Sequence, residues 1–260
     1  MARVRTELDD MSFQVQLPQQ VRRVVSLVPS LTDALAATDR RLLAGATTWC
    51  THPPDLEVER VRGTKNPNVR RIIAMAPDLV LLNKEENRKL DHERLTAAGI
   101  PVWVTVVEDV GSALRALDRL FTVALDRAAP DWLVSATRRL GGPVPDPVAS
   151  AVICVWRDPW MVVGSNNFAT DLLRRIGVRN VYAEHPGRYP HMPLAEIQAA
   201  GTDLVILPDE PYPFSAEDGP AEFPGTATVV DGRLLTWYGP SLVDAKQTLG
   251  QQLGLIGKGA

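Results

Sequence analysis

The chain has 260 residues, 45% of them hydrophobic and 23% charged, which is long enough for two small domains with a core each. Its net charge of −3, without a cluster of Lys and Arg residues, argues against a nucleic-acid partner. No segment has the roughly 20 apolar residues of a membrane span and no signal-peptide run is visible, so the sequence predicts a cytoplasmic protein, or a periplasmic or extracellular one if a leader was removed.

The first half of the chain alternates predicted strands and helices. The predicted strands are apolar or alternating runs at residues 12–17, 24–28, 42–50, 78–82 and 100–106. The predicted helices begin at a capping residue or end at Pro or Gly, and they are one with Ser30 as its N-cap, one over residues 69–76 before Pro77, and one over residues 90–99. This alternation is typical of a parallel sheet.

An amphipathic run over residues 109–140 separates the two halves, and its apolar residues recur at helical spacing. Pro130 would break the interior of a helix at a cost of about 3 kcal/mol. We therefore predict one helix over residues 109–128 and a second that starts near Pro130 and ends at Gly141.

The second half repeats the pattern of the first. Its predicted strands lie at residues 151–156, 178–185 and 203–207, and its predicted helices at residues 167–177, 193–201 and 241–253. Asp78 and Asp203 each open an Asp-Leu-Val strand that follows a helix and leads into an acidic loop. We predict an α/β fold with two Rossmann-like lobes, residues 1–108 and 129–260, joined by the helix at 109–128.

In open parallel sheets, ligands bind beyond the carboxyl ends of the strands, and a cleft between two such lobes is a natural pocket. The segments at these ends contain four of the six tryptophans, which indicates a flat, partly apolar ligand, although some of these indoles could instead seal the lobe cores. The candidate ligand-binding residues in these segments are Ser30, Trp49, His52, Asn83, Lys84, Glu86, Trp156, Arg157, Trp160, Asp209, Glu210, Tyr212, Trp237 and Tyr238.

Neither metal chemistry nor catalysis has a complete motif. Cys50 and His52 resemble a metal-ligand pair, and His185 and His191 add two imidazoles, yet the spacing of a zinc site is absent. We expect two free thiols, with one disulfide between Cys50 and Cys154 as the alternative. His52 is kept as a candidate axial ligand to a metal that a chelate already holds.

The acidic residues of these loops leave two interpretations open. They could supply an acid and a base for catalysis, as Glu86 and Asp158 would, but no nucleophile elbow, Walker loop or dinucleotide motif accompanies them. The other interpretation, which we favour, is that they are solvated rim charges or hydrogen-bond a polar ligand.

Several segments resemble a known family. They are VVSLVPSLTDAL, APDLVLL, AAGIPVWV, the long central helix and AEIQAAGTDLVIL, and together they cover nearly the whole chain. They resemble the class III periplasmic substrate-binding proteins, the helical-backbone metal receptors, which include cobalamin-, haem- and siderophore-binding proteins. The match is closest to the cobalamin-binding branch, at Val25 to Asp33 and at Trp49 to Pro54.

The resemblance implies a stiff helical connection and a corrinoid, haem or ferric-siderophore ligand in the cleft. Members that feed an ABC importer present one glutamate per lobe to arginines of the permease. At the matching places this chain has Lys89 and Ala195, and Glu93 and Glu196 are offset from them.

Our first hypothesis is therefore a non-enzymatic binding protein for a corrinoid or another metal chelate. The alternatives are a cytoplasmic enzyme or biosynthetic accessory that acts on a polar small molecule in the same cleft, and the substrate-binding subunit of an ABC importer for a siderophore or haem.

Overall fold

The computed structural model describes residues 4–256, which divide into two compact units. Unit 1 comprises the described residues up to Val107, Ser112–Val134 and Tyr238–Pro240. Unit 2 comprises Glu108–Gly111, Ser135–Trp237 and the described residues from Ser241 onward. The predicted lobe boundaries and the predicted connecting role of residues 109–128 stay predictions.

Unit 1 contains a five-stranded parallel sheet. The strands of unit 1, numbered along the chain, are β1 (Val4–Leu8), β2 (Gln14–Pro18), β3 (Val24–Ser26), β4 (Leu43–Ala46), β5 (Glu59–Arg60), β6 (Arg62–Gly63), β7 (Asn66–Pro67), β8 (Leu79–Asn83) and β9 (Val102–Thr105). The sheet has the order β5-β4-β3-β8-β9, and its helices are α1 (Pro29–Asp39), α2 (Val69–Ala74) and α3 (Lys89–Ala97). Every residue of β8 is buried, as its continuous apolar sequence predicts for a strand covered on both faces.

The strand β1 has no counterpart among the predicted elements. It pairs antiparallel with β2, and the Arg5 guanidinium donates hydrogen bonds to the carbonyl oxygens of Val123 and Ala124. The Asp9 carboxylate, which follows β1, accepts a hydrogen bond from the Val104 amide over 3.1 Å. These long-range bonds hold the hairpin, and a local sequence pattern does not reveal them.

The predicted N-cap at Ser30 is wrong. Helix α1 begins at Pro29, with Val28 as its N-cap, because proline at the first helical position has a suitable φ and lacks only an amide that would have no helical partner there. Ser30 therefore lies within the first turn, where it is buried.

The central run contains α4 (Val110–Arg119), a π-helical turn at Leu120–Ala124, and α5 (Asp131–Leu140). The predicted break at Pro130 is confirmed, since α5 begins at the next residue. The π-helical turn was not predicted, because apolar spacing alone does not distinguish it from an α-helix.

Unit 2 contains a second five-stranded sheet, and its parallel strands follow helices as in unit 1. Its strands are β10 (Ala149–Trp156), β11 (Met161–Val162), β12 (Val178–Asn180), β13 (Leu204–Pro208) and β14 (Ala227–Val230). Its helices are α6 (Phe168–Arg174), α7 (Leu194–Ala199), α8 (Gly232–Thr236) and α9 (Leu242–Gln252). The order is β11-β10-β13-β14 with β12 also beside β10, and only β11 is antiparallel to its neighbour.

The α/β fold class is confirmed in both units. Cys50 and Cys154 are buried free thiols, each in the interior of its own unit. Among residues 4–256, no helix is both long enough and apolar enough to cross a membrane.

Candidate functional site

In unit 1 the carboxyl ends of three neighbouring strands place polar residues along one edge of the sheet. Strand β3 leads into α1 and Ser30, β8 ends at Asn83, and β9 ends at Thr105. Thr105 was not among the predicted site residues, although the rule that selected the other strand ends applies to it equally.

Asn83 organises the loop that follows β8. Its side-chain oxygen accepts hydrogen bonds from the backbone amides of Glu85 and Glu86 over 2.8 and 3.3 Å. The backbone N–H of Asn83 donates to Asn87 Oδ1 over 2.8 Å. Its Nδ2 group donates to Thr105 Oγ1 over 3.2 Å. Asn83 thus shapes the acidic loop through these bonds, because both ends of its amide already have partners within unit 1.

The centre of this edge is a pair formed by the half-buried Glu86 and the buried Tyr238. The Tyr238 hydroxyl donates to Glu86 Oε1 over 3.2 Å, and the Tyr238 amide donates to Ser30 Oγ over the same distance of 3.2 Å. Burial raises the pKa of Glu86 to about 7, against the opposing effect of the bond from Tyr238. Burial also raises the pKa of the Tyr238 phenol well above its ordinary value, so the phenol stays a hydrogen-bond donor.

Trp49 and Lys84 lie at the solvent-exposed part of this region. Trp49 is 63% exposed, and its indole nitrogen would lie 3.2 Å from a Cβ atom at Gly63. The turn after Gly63 reaches the acidic loop, because Asn87 Nδ2 donates to the Thr64 carbonyl over 3.1 Å. A small hairpin therefore connects the exposed indole to the loop that carries Glu86.

Among residues 4–256, no metal centre is assembled around His52. Its Nδ1 atom lies 3.2 Å from Thr51 Oγ1, and the neighbouring Cys50 thiol is buried, with Sγ 3.0 Å from Thr32 Oγ1. Within the described residues, no three His, Cys, Asp or Glu side chains form a group that could hold a metal ion. The role of His52 as an axial ligand to a chelated metal stays a prediction.

In unit 2 the exposed part of the strand edge is aromatic. Trp156, the last residue of β10, is 41% exposed. Tyr212 follows the neighbouring strand β13, and its ring meets the Trp156 indole edge-on, with the centroids 5.5 Å apart and an angle of 80° between the planes. This geometry is favourable for aromatic pairs.

The ion pairs of Arg157 lie within the unit. Its guanidinium forms an ion pair with Asp218 and lies 3.4 Å from both Asp158 Oδ2 and Glu222 Oε1. It also lies 5.4 Å from the centroid of the Trp160 ring. Asp218 and Glu222 were not predicted as functional, because nothing in their local sequence connects them to Arg157.

Trp160 belongs to the core of unit 2. Only 7% of it is exposed, and its ring stacks on Phe214 with the centroids 5.8 Å apart and an angle of 14°. Phe223 contacts the same ring edge-on, 5.3 Å away. For Trp160 the structure thus matches the alternative in which an indole seals the core.

A second acidic group follows β13. Burial raises the pKa of Glu210 to about 7, the charge of Asp209 raises it further, and a hydrogen bond from the Trp237 side chain opposes the shift. Glu210 Oε1 is buried and has no hydrogen-bond partner among residues 4–256. Asp209 Oδ1 accepts a hydrogen bond from the Gly232 amide over 2.8 Å. Position 232 needs a glycine because a Cβ there would lie 2.6 Å from Glu210 Cγ.

The predicted site residues thus form two groups, one in each unit. Unit 1 contains Ser30, Trp49, His52, Asn83, Lys84, Glu86 and Tyr238, and unit 2 contains Trp156, Arg157, Trp160, Asp209, Glu210, Tyr212 and Trp237. Their role in binding a ligand stays a prediction.

Two curated relatives match nearly the whole chain, whereas no protein-family model matches it. The vitamin B12-binding protein of Pectobacterium carotovorum is 24% identical, and the alignment covers 94% of this chain and 91% of that protein. The uncharacterised ABC transporter substrate-binding lipoprotein YvrC of Bacillus subtilis is 26% identical, with coverage of 95% and 84%.

Solved structures show the same fold. The periplasmic vitamin B12-binding protein BtuF of Vibrio cholerae has a TM-score of 0.71 and 15% identity, and the match covers 90% of this chain and 97% of that one. A periplasmic haem-binding protein from Pseudomonas aeruginosa has a TM-score of 0.76 and 21% identity, with coverage of 90% and 93%.

The fold is that of the two-lobe periplasmic binding proteins. The sequence matches over nearly the whole chain agree with the resemblance to the class III, helical-backbone superfamily of substrate-binding proteins. The sequence-based expectation of a cytoplasmic protein finds no support in these comparisons, because the proteins whose descriptions give a location are periplasmic or a lipoprotein.

Proposed function

We propose that the chain is a non-enzymatic binding protein for a corrinoid or another metal chelate. The observation that carries this proposal is a combination found at the strand ends of both units. Each has an exposed indole, Trp49 or Trp156, and a carboxyl group of raised pKa, Glu86 or Glu210. An indole suits the apolar face of a large planar ligand, and a carboxyl group suits a hydrogen-bond donor at its edge.

The charges favour an amide-bearing ligand over one with free carboxylates. When they are ionised, Glu86 and Glu210 would repel the propionates of haem, and Arg157 already has ion pairs with Asp218 and Glu222. Corrinoids carry neutral amides, whose N–H groups can donate to a carboxylate such as that of Glu86. A corrinoid is therefore the first candidate, and haem and ferric siderophores are alternatives.

The test is a titration of the purified protein with cyanocobalamin, haemin and a ferric hydroxamate. We expect cyanocobalamin to quench tryptophan emission and to raise the unfolding temperature, since a ligand at 100 times its Kd stabilises the folded state by about 2.7 kcal/mol. Free N-acetyltryptophanamide at the same absorbance corrects for light absorbed by the probe. If none of the three compounds produces quenching or stabilisation, the proposal is wrong.

An importer partnership is a further part of the proposal, supported by the relative described as an ABC transporter substrate-binding lipoprotein. The candidate contacts are Glu93 on α3 and Glu196 in the first turn of α7. The Glu93 side chain is 53% exposed and lies 3.6 Å from Lys89 Nζ. Such a role requires a location outside the cytoplasm, which cell fractionation with an antibody against the chain measures directly.

An enzyme that uses the same residues is the second candidate. Glu86, with its pKa near 7, is the group best suited to move a proton at neutral pH. Turnover of a polar small molecule that is lost in Glu86→Gln, while the variant stays folded, would favour the enzyme over the binding protein.

A further inference from the structure

Arg157 lies at the end of β10 and is largely covered by its own unit. Its side chain is only 20% exposed, and its guanidinium has acidic partners at Asp218, Glu222 and Asp158 and an aromatic one at Trp160. A guanidinium with this many partners is poorly available to an incoming anion. Its contacts suit a residue that fixes neighbouring segments.

The segment that Arg157 fixes carries an aromatic side chain of the candidate site. One oxygen of Asp218 pairs with Arg157, and the other accepts a hydrogen bond from the Tyr212 hydroxyl over 2.6 Å. The Tyr212 ring in turn lies 5.5 Å from the half-exposed Trp156 indole. Asp218 therefore links the position of the arginine to that of the phenol ring.

The layer beneath this pair is closely packed. Tyr212 contacts the buried Phe214 ring at 4.6 Å, and Phe214 stacks on Trp160, over which the Arg157 guanidinium lies. Gly219, next to Asp218, has a φ of +112° and would place a Cβ only 2.7 Å from Phe214. The loop thus needs glycine here in order to pass over Phe214 and present Asp218 to Arg157.

We propose that Arg157 is a positioning residue which, through Asp218, holds Tyr212 against Trp156, so that the two rings form a fixed surface for an apolar face of the ligand. This inference rests on the proposed function. A surface that is ordered before binding loses less conformational entropy when the ligand arrives, and this strengthens binding without a new contact. In this assignment Arg157 positions other residues of the protein and does not itself contact the polar edge of the ligand.

The first test needs no ligand. Tyrosine and tryptophan rings in fixed contact contribute to near-ultraviolet circular dichroism, so we expect Arg157→Gln and Tyr212→Phe to reduce that signal. In a Trp156→Phe background, Arg157→Gln should cause a clearly smaller change, because only its effects on Trp160 and on the Tyr212–Phe214 contact then remain. Arg139→Gln is the matched control. Arg139 lies 3.5 Å from Asp244 in the same unit, outside the series of contacts from Arg157 through Asp218 to Tyr212.

The second test uses cyanocobalamin as the probe. We expect Arg157→Gln and Tyr212→Phe each to weaken binding about tenfold. The double variant should bind no more weakly than either single one, since both substitutions break the same series of contacts from Arg157 through Asp218 to Tyr212. Arg157→Lys should restore part of the affinity, because an ammonium can still pair with Asp218. Far-ultraviolet circular dichroism verifies that each variant is folded.

The inference is overturned if Arg157→Gln changes the near-ultraviolet signal equally in the Trp156→Phe background. It is also overturned if Arg157→Gln binds the probe as tightly as the wild type. If the wild type binds neither cyanocobalamin, haemin nor a ferric hydroxamate, the proposed function fails, and the ligand-free signal alone then decides whether Arg157 positions the two rings.

Discussion

The Tyr238 hydroxyl donates a hydrogen bond over 3.2 Å to Oε1 of Glu86, a residue 152 positions earlier in the chain. Tyr238 belongs to the short segment Tyr238–Pro240 of unit 1, whereas the residues on both sides of that segment belong to unit 2. Because of this bond, the protonation state of Glu86 affects the stability of unit 1.

Glu86 makes the stability of the protein depend on pH. Burial raises its pKa from 4.5 to about 7, so the folded state holds a proton that the unfolded state releases at lower pH. This contribution to stability is complete below pH 4.5, falls as the pH rises, and is lost above pH 7, with an upper limit of about 3 kcal/mol. Glu210 acts in the same direction.

Urea unfolding of the wild type and of Glu86→Gln at pH 5, 6, 7 and 8 tests this prediction. Glutamine cannot ionise, so we expect the variant to lose stability less steeply with rising pH than the wild type does. Glu93→Gln, on the exposed side of α3, should keep the wild-type slope. A Glu86→Gln curve parallel to that of the wild type would contradict the assignment.

Two tryptophans of the β10–β11 hairpin should respond differently to truncation. Trp160 is 7% exposed and packs on Phe214 and Phe223, so Trp160→Ala should lower the free energy of unfolding by about 3–5 kcal/mol. Trp156 is 41% exposed, and Trp156→Ala should cost far less stability while it weakens ligand binding. Chemical denaturation of the two variants makes the comparison, and equal losses would show that Trp156 is a core residue.

The exposed indoles should report ligand binding. Trp49→Phe and Trp156→Phe should each remove part of the quenching that cyanocobalamin causes, because these indoles are the exposed ones at the strand ends. Trp132→Phe is the control, since that indole donates to Thr38 Oγ1 over 3.0 Å on the surface of unit 1. Quenching that is unchanged in both test variants would place the ligand elsewhere.

Gly219 and Gly225 form a matched pair for the loop after β13. Both have positive φ values, +112° and +80°, but a Cβ at Gly219 would lie 2.7 Å from Phe214, whereas one at Gly225 meets nothing within 4 Å. Gly225→Ala should cost about 1 kcal/mol for the backbone alone, and Gly219→Ala clearly more. Thermal unfolding of both variants measures the difference, and equal shifts would exclude crowding at Gly219.

Arg5 should anchor the N-terminal hairpin. It donates to the carbonyl groups of Val123 and Ala124 at the end of the π-helical turn, so Arg5→Gln should lower the free energy of unfolding by about 1–3 kcal/mol. Arg71→Gln, which breaks an exposed ion pair with Glu59, should leave the urea midpoint almost unchanged. Equal effects of the two substitutions would show that the hairpin is not held through Arg5.

The sequence predicted most elements because the signals for them are local. The apolar run of β8 and the break at Pro130 follow from burial and from the missing amide of proline. The β1 strand and the N-terminus of α1 were missed or misplaced. Strand β1 depends on its pairing with β2. Helix α1 begins at Pro29, but the sequence also allowed Ser30 as its N-cap, since proline is favoured at the first helical position and serine at the N-cap.

By itself the sequence determined the α/β class and the strand ends where polar and aromatic residues gather, since periodicity and the chemistry of proline act within a few residues. Only the tertiary structure decided which partners those residues contact. Trp160 fills a core, and Arg157 is held by Asp218, 61 residues away. The physical reason is that a charge or a hydroxyl takes the partner that folding brings nearest, and sequence spacing does not specify that partner.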